Sequence, residues 1–110
     1  MPVQKNQLRR FSHIISQLKE NRYPNSETLI RDFDRMALEE GIDISCVKKT
    51  ILRDINTLKT EYGAPIDFDR ARNGYFLKHH GWHFNMPVIL DDHDMLAAVI
   101  GARVAEHIFP

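Results

Sequence analysis

Cysteine is almost missing from this chain: Cys46 stands alone among 110 residues. That excludes an intramolecular disulfide and fits a reducing compartment. No apolar run approaches the roughly 18 residues of a membrane span. The opening stretch, MPVQKNQLRRFSH, lacks the apolar segment of a signal peptide, so a cytoplasmic protein without a membrane partner is expected. An excess of charge is also missing, because 15 Lys+Arg balance 15 Asp+Glu. There is no glycine-rich phosphate loop, no nucleophile elbow and no paired-carboxylate pocket, so no enzyme and no cofactor are expected. What is present is ordinary for one globular domain, with 43% hydrophobic and 27% charged residues.

The zero net charge conceals an uneven distribution. Residues 1–78 hold 14 Lys+Arg against 11 Asp+Glu, a surplus of three positive charges. Residues 79–110 set Arg103 against Asp91, Asp92, Asp94 and Glu106, a surplus of three negative ones. This division suggests a mildly basic working domain over 1–78, followed by a connector and a C-terminal apolar helix over 79–110.

Apolar spacing predicts a helix over 4–20, with Leu8, Phe11, Ile14, Ile15 and Leu18 on one face. Pro24 interrupts, and Asn25 or Ser26 is a candidate N-cap for a second helix over 27–40. That helix would bury Leu29, Phe33 and Met36 or Ala37, with Gly41 just past its end. A third helix is expected over about 46–62, capped by Asp43 or Ser45, with Val47, Ile51, Ile55, Leu58 and Tyr62 in one stripe. Beyond Gly63, the segments PIDFD and GYFLK read as two antiparallel strands over 65–78. Asn73-Gly74 would supply positive φ values at their turn. Two helices joined by a short Gly-containing turn, then a hairpin, form a winged helix-turn-helix, a mainly α fold with a small β-hairpin.

The tail differs. Asp91 or Asp92 would cap a last helix in which Met95, Leu96, Val99, Ile100, Val104 and Ile108 spread around most of the circumference. Such a helix needs cover on several sides, from another copy of the chain or from a further domain, and it is the candidate homodimer element. The connector holds His79, His80 and His83, with His93 nearby. A metal site there is disfavoured, since zinc sites want spaced Cys/His sets. Trp82 and Phe84 are expected to pack on the hairpin or the last helix.

Several motifs occur in a fixed order. Thr50-Ile51-Leu52-Arg53-Asp54-Ile55-Asn56-Thr57-Leu58 follows a Thr-Ile-x-Arg-Asp-Ile-x-x-Leu pattern. It is succeeded by Gly63-Ala64-Pro65-Ile66 and Arg72-Asn73-Gly74-Tyr75. Together these resemble the N-terminal winged helix-turn-helix of bacterial WYL-domain transcriptional regulators. The resemblance covers about 5–78 well and 86–108 less closely. It implies double-stranded DNA binding in the nucleoid and transcription regulation, with repression the expected direction. The stretch 26–45 is longer than that family's usual helix-turn. No WYL domain follows within the 110 residues, so ligand sensing by one is not carried over.

On this reading the polar face of the third helix enters the major groove. Ser45, Lys49, Arg53 and Asn56 align along it, with Lys48 at its edge. Arg and Lys match guanine, and Asn matches adenine. Thr50 or Ser45 near the helix start would reach phosphate. At the hairpin tip, which also holds Asn73, Arg70 and Arg72 would reach an adjacent minor groove or its phosphates, the alternative being that they pair with Asp67 or Asp69. Arg9 and Arg10 are candidates for phosphate contact. Asp54 is expected to be structural, paired with an Arg or Lys. Cys46 is read as a small residue near the interface, the alternative being a redox-active thiol of lowered pKa. A dimer would read paired half-sites about one helical turn apart. The rival function is a winged helix that binds a protein partner rather than DNA.

Overall fold

The computed structural model describes residues 5–84. It is mainly helical, with three helices followed by a two-stranded antiparallel hairpin. Helix α1, Lys5–Lys19, buries Leu8, Phe11, Ile14 and Leu18, the spacing of a one-sided helix. It closes with paired bonds, Arg22 N–H to Gln17 O and Asn21 N–H to Leu18 O, both 3.1 Å. Asn21 takes the left-handed φ of 57° that this ending requires.

Helix α2, Ser26–Glu40, starts from Asn25. Its side chain accepts from Thr28 N–H, while the Thr28 hydroxyl accepts from Asn25 N–H, both at 2.9 Å. This reciprocal box satisfies two otherwise unpaired donors. Leu29 and Phe33 face the core. At the other end Gly41, φ 66°, donates to Ala37 O, a backbone that a side chain would strain. Residues 41–47 then turn the chain, pinned by the fully buried Ile44.

Helix α3, Lys48–Glu61, begins two residues later than the sequence suggested. Its N-cap is Val47, not Asp43 or Ser45, and no side chain caps it. Val47 is therefore outside the apolar stripe and 66% exposed. The interior face carries Ile51, Asp54, Ile55 and Leu58. It packs against both α1 and α2, so α3 is the element the rest of the fold supports.

Strands β1, Ile66–Asp69, and β2, Gly74–Leu77, pair antiparallel. Ile66 and Leu77 face each other in the core. One step toward the tip, Phe68 and Tyr75 stack edge-to-face at 4.9 Å and stand partly in solvent. The turn has four residues, 70–73. Only Asn73 takes positive φ, 53°. Gly74 is instead required because a Cβ there would lie 1.9 Å from the Tyr23 carbonyl oxygen.

The chain after β2 folds back over α1 and the end of α3. Trp82 Nε1 donates to Tyr62 O at 2.9 Å, and Phe84 meets the Tyr62 and Phe11 rings at 5.1 and 6.1 Å. These aromatics thus pack on the helical core rather than on the hairpin. The expected last helix, with Met95, Leu96, Val99, Ile100, Val104, Ile108 and its dimer role, lies outside the described residues, as does His93.

Candidate nucleic-acid interface

The outward side of α3 follows from its inward side. Once Ile51, Asp54, Ile55 and Leu58 are buried, a helix of 3.6 residues per turn must show Lys49, Leu52, Arg53, Asn56 and Thr60 within about 100° of arc. Of these, Lys49, Arg53 and Asn56 are exposed, as is Lys48 in the first turn, while Thr50 is half-buried on the flank. Among the described residues none of Lys48, Lys49 or Arg53 has a carboxylate partner. Ser45 is exposed but sits in the turn before the helix, not on its face.

The helix has one acid before its last residue, Glu61, and that acid is hidden. Asp54 is 1% exposed and receives Arg10 Nε at 2.5 Å and Arg10 Nη2 at 3.3 Å. Burial makes an unpaired carboxylate expensive, so Arg10 of α1 is committed to Asp54. That removes Arg10 from the phosphate-contact candidates. It also leaves the exposed surface of α3 free of negative charge as far as Thr60.

The start of the helix adds to the same field. The peptide dipoles place partial positive charge there. Lys48 and Lys49 raise it further, and no acid or side-chain cap offsets it. Each unfavourable lysine costs about 0.3–1 kcal/mol, and the missing cap about 0.5–2 kcal/mol. The free N–H groups and the lysines together are suited to an anion.

Leu52, 43% exposed in the middle of this face, was not singled out from the sequence. Its position three residues after Lys49 and four before Asn56 is the signal that could have found it. An exposed apolar side chain among hydrogen-bonding ones offers contact to a thymine methyl group.

At the hairpin tip Arg70, Arg72 and Asn73 are all exposed. Neither arginine pairs with Asp67 or Asp69. The Asp69 carboxylate instead accepts the backbone N–H groups of Ala71 and Arg72 at 2.9 and 3.2 Å. The Arg72 guanidinium donates to the Tyr23 hydroxyl and lies over the Tyr23 ring, 4.6 Å from its centroid. Asn73 O accepts from Asn25 Nδ2 at 2.8 Å. Tyr23 was legible from sequence only as part of a helix break.

Cys46 is half-buried in the turn before α3, packed against the core. Burial, the largest effect, pushes its thiol above the ordinary range, against the lowering influence of Arg10. That direction runs against a thiol activated by the helix start, since desolvation opposes the thiolate. His80 bonds Asn21 at 3.0 Å, and no group of three metal-ligating side chains occurs among the described residues. No helix among them is long and apolar enough to cross a membrane.

Comparison with protein-family models, curated proteins and solved structures finds no match for this chain.

Proposed function

We propose that the chain binds double-stranded DNA in a sequence-specific manner as a transcriptional regulator, its fold a winged helix-turn-helix akin to that of WYL-domain regulators. In this reading α2 and α3 are the helix-turn-helix, α3 lies in the major groove and the hairpin grips the flank. The observation that carries it is the sorting of charge on α3. Lys48, Lys49 and Arg53 stand exposed with no carboxylate partner among the described residues, while Asp54 is withdrawn and neutralised by Arg10. Phosphates repel exposed acids and attract this surface. Arg53 and Lys49 have the donors for guanine, and Asn56 has the donor and acceptor for adenine. We further propose that two copies act together on paired half-sites; a monomer in sedimentation at micromolar concentration would count against it.

A second reading is supported by Leu52 and Val47, both exposed on or beside the same face. Here α3 would dock a protein partner. Selection from a randomised duplex pool, at low and moderate salt, separates the two. The DNA reading expects an enriched, pseudo-palindromic site that Arg53→Ala no longer selects. Binding that is absent, or sequence-blind and lost with salt, would favour the protein partner.

A further inference from the structure

The segment joining α1 to α2 holds the most unusual backbone among the described residues. Asn21 and Tyr23 both take left-handed φ values, 57° and 52°. Asparagine tolerates that region, but a bulky aromatic residue in it is a true outlier. Such a conformation persists only where its surroundings impose it.

The hairpin supplies those surroundings. Tyr75 N–H donates to Pro24 O at 2.7 Å, and Asn25 Nδ2 donates to Asn73 O at 2.8 Å. Gly74 admits the Tyr23 carbonyl to a distance no other residue would allow. The loop and the hairpin tip are thus clamped together at Tyr23 and at the two residues that follow it. The clamp leaves the Tyr23 ring beneath the Arg72 guanidinium, with its hydroxyl accepting one of that group's donors.

An exposed arginine on a four-residue turn would ordinarily sample many rotamers, and fixing one opposes binding. Arg72 is already held by a stacked ring and one hydrogen bond, on a turn whose backbone Asp69 ties down. Guanidinium has five donors in one plane. One is used by Tyr23, and no carboxylate pairs with the others among the described residues. The permanent charge and the forked geometry of those donors match a phosphodiester oxygen pair.

We propose that Tyr23 is a positioning residue: it presets the Arg72 guanidinium as a phosphodiester grip at the hairpin tip, and the left-handed backbone at Tyr23 is kept for that purpose. The inference rests on the DNA-binding reading, in which the hairpin grips the flank, and gives the loop between α1 and α2 the role of fixing that grip.

The test is equilibrium binding of the full chain to its selected duplex over a salt series. The variants are Arg53→Ala, Arg72→Ala, Tyr23→Phe, Tyr23→Leu and the Tyr23→Leu/Arg72→Ala double, each first shown folded by thermal melting. Arg72→Ala should lower the slope of log K against log salt by about 0.9, one phosphate contact. Tyr23→Phe, which keeps the ring and loses the hydroxyl, should weaken binding about twofold to tenfold. Tyr23→Leu should weaken it further in the parent chain and add nothing in the Arg72→Ala background, a non-additivity that a merely structural role would not produce. Should Tyr23→Leu not fold, Tyr23→Phe compared with and without Arg72→Ala gives the same cycle. Equal losses in both backgrounds overturn the inference. So does an unchanged slope in Arg72→Ala while Arg53→Ala still abolishes selection, and in that case the DNA reading survives. A parent chain that binds no duplex overturns both.

Discussion

Helices α2 and α3 begin in opposite ways. α2 starts from Asn25, closes a reciprocal capping box with Thr28 and carries Glu27 in its first turn. α3 starts from Val47 with no side-chain cap and carries Lys48 and Lys49 where acids are favoured. The same short chain therefore contains one helix start built for stability and one that forgoes it. A local rule broken on an exposed, basic surface, next to one that is kept, marks the place where another requirement dominates. The uncapped end keeps its N–H groups and its positive potential available to an anion.

If α3 is not stabilised from its own end, it must be stabilised from within, and the sharpest test of the contrast lies there. Arg10→Ala strands the buried Asp54 carboxylate. Unfolding in urea should show a loss of about 3–5 kcal/mol, with amides of α3 losing exchange protection before those of α2. A loss below about 1 kcal/mol would mean that water or a rearranged side chain serves Asp54 equally well.

The next effect in size belongs to the exposed face. Arg53→Ala should cost about 1–3 kcal/mol in binding to the selected site while leaving the melting temperature unchanged, the reverse of Arg10→Ala. A variant that lowers both together would erase the distinction between the two sides of α3.

The two helix starts can be exchanged in character. Asn25→Ala removes the α2 box and the bond to Asn73 O, and should destabilise by about 0.5–2 kcal/mol. Val47→Asp supplies α3 with the cap and the acid it lacks. Chemical denaturation should then show a gain of about 0.5–1 kcal/mol, and duplex affinity should fall because a carboxylate now faces the phosphates. A gain in stability with no change in affinity would show that the α3 start serves no anion.

The smallest effects concern single groups on α3 and in the turn before it. Replacing thymine by deoxyuridine in the selected site removes only methyl groups. A loss that vanishes in Leu52→Ala would identify Leu52 as their contact, and equal losses in both proteins would remove it from the reading surface. Cys46, its pKa raised by burial, should react with iodoacetamide at pH 8 more slowly than a free cysteine, because less thiolate is present. Equal or faster reaction would contradict the desolvation of that thiol.

The order of three helices and a hairpin was legible because each element announces itself locally. Apolar residues recur at three- and four-residue spacing along α1, α2 and α3, and Gly41 and Pro24 punctuate them. The outward row of Lys49, Arg53 and Asn56 follows from the same periodicity. Three matters were not local. The start of α3 was misplaced by two residues because Asp43 and Ser45 look like caps, whereas Ile44 buries itself and holds the turn open until Val47. The commitment of Arg10 to Asp54 joins residues 44 positions apart; periodicity sets Arg10 on the flank of the apolar face and Arg9 opposite it, but it does not say which acid Arg10 meets. The Tyr23–Arg72 stack spans 49 positions and depends on Gly74 admitting a carbonyl that only the folded chain brings there. Periodicity and turn chemistry act between near neighbours, so the sequence by itself determined which segments are helical or extended and which side of each is apolar. Which charges are spent inside the fold and which stay outside was decided only by tertiary packing. A buried carboxylate must find its partner wherever the chain has folded one into reach.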